Sequence, residues 1–134
     1  MQPVKIRLRL LLAGLMLVGS ASAQVTEEDL LMPGEAFKLS ASTRPDVVHL
    51  EWAIAEGYYL YRSKFRFNTT TPGIALADPV IPPGKVKEDE FFGRVEIFRN
   101  SVAVDLPLRV KGKPPPAMEL EATSQGCADI GVCY

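Results

Sequence analysis

The chain has two cysteines, and both lie in its last stretch, Gly126-Cys127-Ala128-Asp129-Ile130-Gly131-Val132-Cys133. A straight strand would hold Cα atoms six positions apart by about 20 Å, whereas a disulfide needs roughly 4.4–6.8 Å. If the two thiols pair, Ala128 to Val132 must form a tight loop. Two chemistries suit such a pair. One is a structural staple, the default for two cysteines in an exported domain. The other is exchange, in which a thiolate attacks a disulfide sulfur and a second thiol resolves the mixed disulfide. Closing so short a loop is worth only about 2–2.5 kcal/mol, so the bond breaks easily. Asp129 sits inside the loop, with no Lys, Arg or His nearby in sequence. A carboxylate raises the pKa of a neighbouring thiol, so either thiol alone is a sluggish nucleophile.

The sequence supplies little for other chemistry. The one histidine, His49, falls on the polar side of an alternating segment and reads as an exposed side chain. No Cys-x-x-Cys or His-x-x-x-His spacing supports zinc, and the methionines form no copper-binding cluster. A metal site is not expected. There is no Gly-rich phosphate loop and no serine on a nucleophile elbow. Asn68-Thr69-Thr70 matches a glycosylation acceptor, a short and unspecific motif. Lys87-Glu88-Asp89-Glu90-Phe91-Phe92-Gly93 places two large aromatics in an acidic, Gly-ended segment. They are either core residues flanking a turn or an aromatic lid over a reactive group.

The elements that must position these residues read as strands. Val48, Leu50, Trp52 and Ile54 alternate with Val47, His49, Glu51 and Ala53, which predicts a half-buried strand with Trp52 on the core face. Glu56-Gly57 predicts a turn before the aromatic runs Tyr58–Tyr61 and Phe65–Phe67. Residues 72–87 are rich in proline and predict mostly loop with one short edge strand. Arg94–Phe98 and Val102–Val110 alternate again, and Pro107 predicts an edge or a bulge in the second. Lys111–Pro116 is a stiff connector before the alternating Met118, Leu120 and Ala122. One short helical turn is expected at Thr26–Leu31, ended by Pro33-Gly34. About seven short strands with regular turns indicate an all-β antiparallel sandwich.

The N-terminus has the three parts of a secretory signal. Lys5, Arg7 and Arg9 precede the apolar run Leu10–Gly19, and Ala21-Ser22-Ala23 is a small-residue cleavage site. About ten apolar residues are too few to span a bilayer comfortably. Cleavage predicts a mature chain of residues 24–134 as one domain, with the formal charge moving from −1 to −4. A mildly acidic domain without clustered cations is a poor candidate for nucleic acid or anionic lipid. Export also places the cysteines where a disulfide persists.

Three stretches together resemble the N-terminal periplasmic domain of the DsbD family of thiol:disulfide interchange proteins. They are Gln125–Tyr134, Glu88–Arg99, and Trp52 with Gly57-Tyr58-Tyr59-Leu60-Tyr61-Arg62. The resemblance implies an immunoglobulin-like sandwich and a periplasmic electron relay with no cofactor beyond its disulfide. Cys133 would form the mixed disulfides and Cys127 would resolve them. Asp89, Glu90, Phe91 and Phe92 would form a cap loop, with Phe91 shielding the pair. Tyr59, Tyr61 and Asp129 would line the site. Implied partners are thioredoxin-fold proteins: the family's own C-terminal thioredoxin-like domain as donor, and DsbC, DsbG and a cytochrome c maturation thioredoxin as acceptors. Membrane attachment would come only from downstream segments. The sandwich is expected to lack its last strand, because the sequence ends one residue after Cys133. The alternative of a different class is an exported Ig-like binding module whose disulfide is purely structural.

Overall fold

Apolar alternation at period two is strongest in Val47–Ile54, and that segment is the central strand β2 of one sheet. Its Val48, Leu50, Trp52 and Ile54 are all buried, and burial of each is worth about 1.5–3 kcal/mol. The computed structural model describes residues 26–134; the signal-peptide reading of residues 1–23 and the start at Gln24 lie outside them. Flanking β2 in chain order are β1 (Phe37–Arg44), β3 (Tyr58–Tyr61), β4 (Arg66–Asn68), β5 (Ile74–Leu76), β6 (Lys85–Asp89), β7 (Gly93–Phe98), β8 (Ser101–Val110), β9 (Glu121–Thr123) and β10 (Gly126–Ala128).

The strands make an antiparallel, immunoglobulin-like sandwich. One sheet runs β1-β2-β8-β5 and the other β10-β3-β7-β6, with β4 and β9 paired apart. The space between the sheets is filled by the inward residues of β2 and β8, by Tyr58 and Leu60 of β3, and by Phe98 of β7. Trp52 anchors this core, with the Phe65 ring 4.9 Å away. A second, smaller cluster of Tyr59, Tyr61, Ile97 and Cys127 lies on the other side of β3.

Two local expectations need correction, and two strands carry no signal in the sequence. Pro33 opens a short helical turn, α1 (Pro33–Ala36), because proline at the first helical position gives up an N–H that has no partner there. Strand β8 is interior to its sheet despite Pro107. Pairing with β2 ends at Val47↔Pro107 and pairing with β5 starts at Leu108, so the missing N–H falls where one neighbour hands over to the next. Strand β1 was not expected, since nearly all of its residues are exposed and its small polar side chains carry little pattern. Strand β10 likewise has no alternating pattern of its own, and pairing with β3 places it.

Candidate functional site

Strand β10 brings Cys127 opposite Tyr59 of β3. The chain then turns through Ala128–Val132 and returns, so that Cys127 and Cys133 form an antiparallel bridge. The turn is closed by the Gly131 amide donating to the Ala128 carbonyl at 2.9 Å and the Ala128 amide donating to the Val132 carbonyl at 2.7 Å. Gly131 has φ of +95°, a conformation that favours glycine, which is why a residue with a side chain fits poorly at the apex. The two sulfurs are bonded, with Cα atoms 3.9 Å apart.

The two cysteines differ in environment. Cys127 is 0% exposed, whereas Cys133 is exposed. The Tyr61 hydroxyl lies 3.2 Å from Cys127 Sγ and donates its proton to Asp89 Oδ1 at 2.9 Å. With that proton committed to a carboxylate, the phenol oxygen is left as an acceptor for a Cys127 thiol. Tyr59 also donates to Asp89 Oδ1, at 3.1 Å.

Asp89 is the hub of the site. Its side chain is 0% exposed, and Lys87 Nζ stands 3.3 Å from Oδ1. The other oxygen, Oδ2, accepts the Phe91 and Phe92 amides at 2.9 and 3.0 Å. Burial pushes the carboxyl pKa up. The Phe91 amide, the Tyr61 hydroxyl, the Phe92 amide and the Tyr59 hydroxyl outweigh it and hold the group at about 2. Burial, then its bonds to Tyr59 and Asp89, raises the Tyr61 phenol, and burial likewise raises Tyr59. Both stay protonated and able to donate.

The segment 90–92 is the turn between β6 and β7, closed by Gly93 at φ of +70°. Glu90 reaches the cysteine loop: its Oε1 lies 3.1 Å from where a side chain at 131 would begin. Phe91 is 53% exposed and Phe92 44%. The Phe92 ring packs edge-on against Tyr61 at 5.0 Å, and Lys64 Nζ stands 4.3 Å over it. The structure therefore gathers Asp89, Glu90, Phe92, Tyr59, Tyr61 and both cysteines. Asp129 is at the margin, with its carboxylate turned to Arg99 at 2.8 and 3.2 Å. Arg99 had no assigned role in the sequence reading, although it closes one of the three quoted stretches. It also stacks over Tyr59 at 5.1 Å and donates to the Tyr58 carbonyl at 3.3 Å, so it ties the cysteine loop to β3. The loop carboxylate thus has a cation beside it in space that the local sequence lacks. Among the described residues no group of three or more His, Cys, Asp or Glu side chains is placed to hold a metal.

Fold and site together define a β-sandwich domain with a disulfide at the end of one sheet, one sulfur buried and the other open. Residues 27–134 match the family described as the N-terminal domain of the thiol:disulfide interchange protein DsbD, and the chain belongs to that family. It is 36% identical to the thiol:disulfide interchange protein DsbD 2 of Pseudomonas aeruginosa over 96% of this chain and 22% of the relative. The chain spans about a fifth of the length of such relatives. The crystal structure of the reduced Neisseria meningitidis DsbD N-terminal domain superposes with a TM-score of 0.72 at 37% identity, covering 82% of this chain and 86% of that one. A second structure, of a complex between the DsbD and PilB N-terminal domains from the same organism, gives 0.66 at 36% identity, with 79% and 80% covered.

Proposed function

We propose that this domain relays electrons in the periplasm by exchanging its Cys127–Cys133 disulfide with thioredoxin-fold proteins, with Cys133 as the sulfur that meets them. The observation that carries this reading is the asymmetry of the pair: Cys133 is exposed and Cys127 is enclosed beneath Tyr61. In the reductive half, a donor thiolate attacks Cys133 Sγ. The bond to Cys127 breaks, Cys127 leaves and takes up a proton, and a mixed disulfide joins the donor to Cys133. The donor's second thiol then attacks its own sulfur in that bond, and the donor leaves as a disulfide. In the oxidative half, Cys133 attacks the acceptor's disulfide and Cys127 displaces the acceptor, which leaves as a dithiol. Donor and acceptors are, in this reading, the family's C-terminal thioredoxin-like domain and, respectively, DsbC, DsbG and a cytochrome c maturation thioredoxin. The DsbD–PilB complex among its structural neighbours supports a protein partner on this fold.

The turn at Asp89–Phe92 acts as the cap, with Phe91 as its lid. A lid keeps small thiols from the disulfide yet moves aside for a docked partner. Replacing Cys127 with alanine is expected to trap a covalent complex through Cys133 with a thioredoxin-fold partner. Equal trapping by Cys133→Ala would overturn the assignment of roles. A disulfide that resists a glutathione or thioredoxin buffer, with a potential below roughly −300 mV, would make it a staple and the domain a binding module.

A further inference from the structure

We propose that Lys64 is a positioning residue that holds the cap turn closed, by clamping the Phe92 ring onto Tyr61. The inference rests on the reading of this turn as a lid. The backbone of the turn is tied at its start, where the Phe91 and Phe92 amides bond to Asp89. Past that point it is held by a side chain: the Phe92 ring lies edge-on to Tyr61, with planes 86° apart, and Lys64 Nζ sits 4.3 Å over the ring. Tyr61 ends β3, and Lys64 follows three residues later at the end of the 3-10 turn Arg62–Lys64. One short stretch of chain therefore supplies both the floor and the clamp for Phe92.

Lys64 differs from the other cations of the site. Lys87 and Arg99 also stand over an aromatic ring, that of Tyr59, but each is paired with a carboxylate, Asp89 and Asp129 respectively. Among the described residues Lys64 forms no ion pair. Its ammonium group has the negative face of Phe92 as its partner. Phe91, the next residue back, has its amide fixed but its ring exposed, so in the lid reading the firmness with which Phe92 is seated sets how long the turn, and Phe91 with it, stays closed.

The test measures reduction of the oxidised full chain by dithiothreitol. Lys64→Gln is expected to react about two- to fivefold faster, the factor an exposed cation–π contact is worth. The direction is diagnostic. If Lys64 acted only through its charge, removing a cation would slow attack by an anionic thiolate. Lys64→Arg keeps a cation over the ring and should restore the parental rate. In the double variant with Phe91→Ala, Lys64→Gln should add nothing, because the lid it steadies is gone. An unchanged or slower Lys64→Gln rate beside a faster Phe91→Ala rate would refute the clamp and leave the lid standing. Multiplying effects in the double variant would also refute it. No acceleration in either single variant would refute the lid, and the clamp with it.

Discussion

Replacing Asp89 with asparagine keeps the shape of the hub and removes its charge. Oδ2 can still be a carbonyl that accepts the Phe91 and Phe92 amides. The other position becomes an NH2 group facing two hydroxyls that now donate into it and an ammonium 3.3 Å away. The magnitude follows from the acidity of the group. A carboxyl held at about 2 when folded, against 3.8 in the open chain, stabilises the fold at neutral pH by about 2 kcal/mol. Because the folded pKa is the lower one, this stability is present above pH 3.8 and is lost as pH falls through about 2. Asp89→Asn should therefore cost about 2 kcal/mol at pH 7, and the gap to the parent should close as the pH approaches 2. The single tryptophan, Trp52, is buried in the main core and reports the transition in urea. Both proteins are kept oxidised while unfolding is followed at several pH values. A gap that is independent of pH, or smaller than about 0.5 kcal/mol at neutral pH, would refute the reasoning, since changes of that size are ordinary for surface positions.

Phe91→Ala should speed reduction by dithiothreitol several-fold and leave stability within about 0.5 kcal/mol, because the ring is half exposed; a loss of about 3–5 kcal/mol without faster reduction would make it a core residue. Gly126→Ala should destabilise by about 1–3 kcal/mol in urea unfolding, because the new Cβ meets the Tyr59 carbonyl oxygen and lies 2.8 Å from Phe37 and 2.9 Å from Leu60.

Legibility in the sequence followed burial. The strand carrying Trp52 was readable because one face is core and the other solvent, and the aromatic run at Tyr58–Tyr61 because such side chains suit a sheet. Strand β1 was not, since pairing with β2 places it rather than any apolar pattern of its own. Pro107 misled because the rule against proline inside a sheet assumes one neighbour along the whole strand. At the site, the cysteine pair and the acidic aromatic turn stood out as local motifs. Arg99 and Lys64 did not, because they act across 30 and 28 residues, on Asp129 and Phe92. A lone cation gives no local sign of which carboxylate or ring it will meet.

Strand β3 faces two interiors at once. Tyr58 and Leu60 belong to the main core, while Tyr59 and Tyr61 belong to the cluster with Cys127. The main core and the cysteine cluster are thus written on alternate letters of the same four-residue word. Either set can change by substitution without moving the other to a different face of the strand. Insertion or deletion of one residue has no such freedom, since it would exchange the two sets and cost both at once. Variation in this strand should therefore accumulate as replacements at fixed length, with the two sets changing independently of each other.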